Sequence, residues 1–147
     1  MSDPTMSTSQ KTSSPLSSLG VPTFTPVARA ILRIGAGLLF MQHGAQKLFG
    51  LFGGVDGNGA TAELFSQFGV AGVLEFFGGL LFVAGLFTRS VAAVLALLMI
   101  VAYFIAHAPQ GLVPILNGGE LALLYACVFI FFAGSTPGAW SIDGARS

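Results

Sequence analysis

The chain has 147 residues and a formal net charge of zero, with six Lys and Arg balanced by six Asp and Glu. Hydrophobic residues make up 54% and charged residues only 8%, and the mean hydropathy is +0.83. A soluble domain carries about 25% charged residues, so this composition excludes a surface clothed for water, and without a Lys/Arg cluster it excludes a nucleic-acid partner.

Residues 1–24 are rich in Ser, Thr and Pro and show no apolar periodicity. They are expected to form a disordered tail, because they cannot bury enough surface to offset the entropy of ordering. They also lack the basic and apolar regions of a secretory signal. Four apolar segments follow, at about 27–49, 70–87, 91–106 and 119–133, and 138–147 is a short tail. Gly53, Gly54, Gly57 and Gly59 end the first segment, Pro109 and Pro114 the third, and Gly134-Ser135-Thr136-Pro137-Gly138 the fourth. The second and fourth are shorter than the ~20 residues a span usually needs. The single cysteine, Cys127, falls in the last segment and reads as a small core residue, with no disulfide partner in the chain.

The predicted fold is all-α, an integral membrane bundle of four transmembrane helices over 25–137. Only helices satisfy their own backbone polar groups segment by segment in hydrocarbon, and no ten-residue alternation suggests a barrel. Leu95 to Ile105 is apolar around the whole helical wheel, which argues against a soluble bundle. With four spans, Lys11, Arg29, Arg33, Arg89 and Arg146 share one side and Lys47 stands alone on the other. The positive-inside rule then places both termini in the cytoplasm of a cell that carries the chain in its membrane. The loop over 50–69 faces outward, and Leu64, Phe65 and Phe68 within it have the spacing of a short interfacial helix. Gly35, Gly37, Gly78, Gly79 and Gly85 are the small residues expected to let helices approach closely.

The informative residues are the polar ones. At 100° per residue, Arg29, Arg33, His43 and Lys47 share one face of the first helix, with neighbours within about 40°. Such a face turns toward other helices or a cavity, although Arg29 and Arg33 also sit where arginines snorkel to headgroups. Toward the outer side, His43, Lys47, Glu75, His107, Asn117 and Glu120 come to similar depth from all four helices, with Gln42 and Gln46 flanking the histidine. Glu75 costs on the order of 2–3 kcal/mol in the membrane unless neutralised, and Lys47 is its expected partner. The competing reading is that these groups are docking contacts between helices. Two histidines without fixed ligand spacing do not make a haem or metal motif.

The same residues carry a resemblance. Arg33-x-Gly35-x-Gly37-Leu-Leu-Phe40 running into His43-Gly44-x-Gln46-Lys47-Leu48-Phe49-Gly50 resembles the first helix of the DoxX family of small bacterial and archaeal membrane proteins. Glu75-x-x-Gly78-Gly79 with Gly85-Leu-x-Thr88-Arg89 is similar to its second helix and turn, and Asn117-Gly118-Gly119-Glu120 to the opening of its fourth. The likeness runs from about Arg29 to Phe132. It implies four transmembrane helices. The family takes its name from a membrane-bound thiosulfate:quinone oxidoreductase, and some members are associated with membrane complexes against oxidative stress, so the resemblance implies a redox-linked role without transferring a substrate or a catalytic residue.

Three functions follow. The first is a subunit of a quinone-associated redox system, with the fourteen Phe as walls, His43, Lys47 and Glu75 as polar handles, and electrons supplied by a partner redox protein, since no cofactor motif is present. The second is a non-catalytic anchor or assembly factor. The third is a small proton-coupled transporter, for which four helices are few without homo-oligomerisation.

Overall fold

The computed structural model describes residues 24–146. The tail expected over 1–24 lies, apart from Phe24, outside the described residues. Among those described there is no strand, only an isolated bridge between Gly54 and Ala60. Four helices dominate: α1 (Thr25–Phe49), α2 (Gln67–Ala84), α3 (Thr88–Gln110) and α4 (Glu120–Gly134). Single turns at Leu51–Gly53, Pro114–Asn117 and Ile142–Ala145 complete the set among the described residues.

The boundaries follow from local chemistry. Pro26 occupies the first turn of α1, where its missing N–H is no loss, and Gly50 ends that helix in the left-handed conformation at φ 67°. Ser66 caps α2, its hydroxyl accepting from Gly69 N–H at 3.1 Å. The turn between α2 and α3 falls earlier than the apolar pattern predicts, so α2 ends at Ala84 rather than 87 and α3 begins at Thr88 rather than 91. Gly85 and Phe87 both adopt positive φ there, and Asp143, from far along the chain, caps α3 in place of a local residue. Both α2 and α3 contain a π-helical turn, at Leu74–Gly78 and Tyr103–His107.

The helices pair as α1 with α2 and α3 with α4. The first pair meets through glycine. A methyl group at Gly44 would lie 2.4 Å from Phe76 N, and one at Gly79 would lie 2.6 Å from Met41 Cγ. Gly37 and Gly72 are equally confined, whereas Gly35 faces open space and takes no part in the contact expected of it. Where the two pairs meet, Phe40, Phe82, Phe129 and Phe132 are fully buried. They interlock edge to face, with ring centroids 4.9 Å apart for Phe40–Phe129 and 5.1 Å for Phe82–Phe129.

The residues after Pro137, expected to be a short tail, fold back onto the bundle as a strap. Arg33, fully buried, donates to the carbonyls of Pro137, Ala139 (3.2 Å) and Trp140 (2.7 Å). Asp143 accepts from Phe87 N–H (2.9 Å), Thr88 N–H (2.7 Å) and the Thr88 hydroxyl (2.8 Å). The polar residues of the interior, Arg33, Glu75, Thr88 and Asn117, are thus buried, while large apolar side chains such as Ile31, Leu97, Phe104 and Leu124 lie on the exterior.

Candidate functional site

At the end of the bundle away from the strap the two helix pairs part, and a cavity of about 660 Å³ opens between them. α2 and α3 are joined by the short turn at Gly85–Phe87 and touch from there to the π-helical turn of α2; beyond it the cavity separates them. Its walls are apolar, formed by Phe40, Val70, Leu98, Met99, Ile105 and Leu121. Into this setting come His43 and Lys47 from α1, Glu75 from α2, His107 from α3 and Tyr125 from α4.

Each polar group is placed by its helix. The π-helical turn of α2 carries Glu75, and that of α3 carries His107; such one-turn expansions recur at functional sites because they re-aim a side chain without ending the helix. Glu75 meets Lys47 in the predicted ion pair, with Nζ and Oε2 2.5 Å apart and side-chain exposures of 5% and 17%. Gly72 allows this approach, since a methyl group there would come within 2.9 Å of Lys47 Cβ. His43 is half-buried and makes no hydrogen bond among the described residues. Its ring stands edge-on to Tyr125, with centroids 6.1 Å apart. The Tyr125 hydroxyl likewise has no hydrogen-bond partner among the described residues, although the side chain is 7% exposed. Two hydrogen-bonding groups thus face the cavity unsatisfied, beside a neutralised ion pair.

The remaining expected residues divide. His107 lines the cavity, but its Nδ1 is engaged with the Asn117 carbonyl at 3.0 Å. Asn117 does not reach the cavity; its amide donates to the Gly111 carbonyl (2.5 Å) and its Oδ1 accepts from Gly119 N–H (2.8 Å), holding the α3–α4 connection in shape. Glu120 is exposed in the first turn of α4, where the helix dipole favours an acid, and Gln42 and Gln46 also lie off the cavity. Arg33 belongs to the opposite end of α1, about 21 Å from Lys47 along the axis. No group of three or more His, Cys, Asp or Glu among the described residues is placed to hold a metal ion.

Tyr125 is the residue that sequence reasoning missed. The available signal was a lone phenol in an otherwise apolar span, since a buried Tyr hydroxyl ordinarily finds a partner. Asp143 was missed as well, because no local pattern shows that a carboxylate near the end of the chain caps a helix begun 55 residues earlier.

The cavity is walled largely by α1, α2 and α3, and the model of the DoxX family matches residues 28–108, which cover most of those helices. The chain belongs to the DoxX family. A protein of Haemophilus influenzae is 41% identical over 124 residues, covering 82% of this chain and 91% of that one; its description is "Uncharacterized protein". No solved structure matches. Within this DoxX chain the motif residues have separate tasks. Gly37, Gly44 and Gly79 hold α1 against α2, Lys47 and Glu75 furnish the cavity, and Arg33 anchors the strap.

Proposed function

We propose that this DoxX protein crosses the bilayer as four α-helices within 25–137, with both termini cytoplasmic. In this reading the outer cavity is a lateral site for a quinone-type ring, and the chain serves as a subunit of a membrane redox system. Support for the spans begins with α2 and α3, which are long and apolar enough to cross a membrane and have only 28% of their apolar windows buried. The core helix of a soluble protein would be mostly buried. The inside-out distribution of Arg33, Glu75, Ile31 and Leu97 points the same way. α1 is 25 residues long, and α4, at 15, gains the turn Pro114–Asn117 at its outer end.

The observation that carries the quinone reading is the pairing of His43 and Tyr125. A volume of about 660 Å³ lies within the range of about 300–1,000 Å³ typical of small-molecule sites. Its apolar walls suit a ring and an isoprenoid chain. The imidazole and phenol, which line the cavity without a hydrogen-bond partner among the described residues, suit a carbonyl oxygen as donors. Lys47 is already matched by Glu75, so its part is to set the field near the carbonyl rather than to bind it. The residues bind and orient the ring and exclude water, and electrons come from a partner subunit.

The test is calorimetric titration of a short-chain ubiquinone analogue into the full chain in lipid nanodiscs. Binding should be saturable, and His43→Ala and Tyr125→Phe should each weaken it about tenfold, as expected for a lost hydrogen bond of about 1.4 kcal/mol. Unchanged affinity in both folded variants refutes the assignment of the cavity.

A further inference from the structure

A second recess, of about 880 Å³, lies at the strap end, between the first turns of α1 and α3 and the chain after α4. Arg29 and Arg89 line it from two helices, together with Ser90 and Thr136. Neither guanidinium meets a carboxylate among the described residues. Arg29 Nη1 donates to Thr136 Oγ1 at 2.7 Å and Arg89 Nε to the Ala133 carbonyl at 3.1 Å, and the one ion pair described is Lys47–Glu75 at the far end. Arg29 Nε is buried with no hydrogen-bond partner among the described residues. Asp143 also borders the recess, but its oxygens already accept from Phe87 and Thr88. Two cations with spare donors therefore flank a recess whose one lining carboxylate, Asp143, is turned to the start of α3 and pairs with neither guanidinium among the described residues.

We infer that this recess binds the phosphodiester of an anionic phospholipid from the cytoplasmic leaflet, gripped by Arg29 and Arg89 with Ser90 beside them. The guanidinium fork matches the geometry of a phosphate, and an unsatisfied buried N–H gains most from such an acceptor. A lipid fits better than a free anion because Phe87, at the rim, is 64% exposed and offers apolar surface to an acyl chain. The headgroup bridges α1, α3 and the strap, fastening the cytoplasmic end of the bundle. The inference rests on the membrane-spanning reading and is independent of the quinone site.

Trp140, the chain's single tryptophan, adjoins Ala139 in the strap and reports on the recess. The full chain is reconstituted into phosphatidylcholine vesicles, and Trp140 emission is followed as phosphatidylglycerol replaces part of the lipid. A saturable change is expected, with the midpoint shifted about tenfold by Arg89→Gln and further by Arg29→Gln added to it. Arg89 is exposed, so its substitution leaves folding intact; Arg146→Gln should leave the midpoint unchanged. An unaltered midpoint in the Arg89 variant, or no response to phosphatidylglycerol, overturns the proposal. An equal response to inorganic phosphate would make this a free-anion site and also overturn it. Failure of the chain to co-float with phosphatidylcholine vesicles would instead reject the membrane reading.

Discussion

Substituting Glu75→Gln separates the two roles open to the outer ion pair. The change keeps shape and an acceptor but leaves the Lys47 ammonium, 17% exposed and 2.5 Å from the lost carboxylate, without its counter-charge. Breaking a buried pair from one side costs about 3–5 kcal/mol. In the proposed orientation the Lys47 stem would extend toward the outer headgroups, which puts the cost at the low end, about 3 kcal/mol. For a chain of this size that is a fall in Tm of about 6–12 °C. Removing both partners, Lys47→Met with Glu75→Leu, should recover most of the loss, because a desolvated pair is worth little more than apolar packing. The assay is a double-mutant cycle by circular dichroism melting, with folded yield from gel filtration. If Glu75→Gln melts within about 2 °C of the parent, no stability rests on the pair and the energetic reasoning fails. If yield is normal but quinone titration is lost, the carboxylate works in the site; if yield collapses and the double variant restores it, the pair docks helices.

Gly44→Ala should cost about 1–3 kcal/mol, because its methyl group would meet the backbone of Phe76 and Gly72, which cannot yield, whereas Gly35→Ala, facing open space, should be neutral or slightly stabilising; paired melts check both. Burial raises the Asp143 pKa, but hydrogen bonds from Thr88 and Phe87, with Arg146 nearby, outweigh that and hold the carboxyl below its ordinary value. A depressed folded value means that the clamp is fully present above the unfolded value of about 3.9 and is lost as pH falls through the folded one, so Trp140 emission should stay constant from neutrality to about pH 4 and shift only below it. Asp143→Ala should remove that acid transition and cost about 0.5–2 kcal/mol in the melt. In a Cys127→Ala background, Asn58→Cys should react with an impermeant maleimide on intact cells and Thr136→Cys only after permeabilisation; the reverse pattern would invert the proposed orientation.

The apolar segments were legible because hydropathy acts residue by residue, and the Lys47–Glu75 pair because two opposite charges at matching depth have one economical solution. What escaped was non-local or depended on side-chain direction. The α2–α3 turn moved because Asp143 caps Thr88 from across the chain, a contact no sequence window contains. Asn117 was expected at the site, yet it spends its amide on the Gly111 carbonyl; a short polar side chain beside a turn competes first for nearby backbone. Gly44 and Gly72 were passed over for Gly35 because the close-approach stripe is set by which helix lies opposite, not by glycine content. The π-helical turns have no pattern to read, since they add a residue per turn without changing composition.

The two ends of the bundle are built on opposite principles, and the difference bears on how a ligand enters. At the strap end three backbone carbonyls and a carboxylate are fastened to Arg33, Phe87 and Thr88, so the helices are tied together through side chains that are themselves buried or capped. At the other end nothing comparable among the described residues ties α2 to α3. What borders the opening is the start of α2 and the residues just before it, where Phe65 is 95% exposed and Phe68 59%, both lining the cavity. On the proposed membrane reading these bare rings would lie against lipid, where a ring from the bilayer would first make contact. α4 reinforces this arrangement. Its 15 residues span about 22 Å, less than the ~30 Å of hydrocarbon, so the polar floor around Tyr125 sits beneath a connection held by Asn117 rather than beneath more helix. On the proposed reading, entry from the side, between α2 and α3, would need no rearrangement of the fastened end, whereas entry from above would have to break the Asn117 and Tyr103 hydrogen bonds that hold the α3–α4 connection.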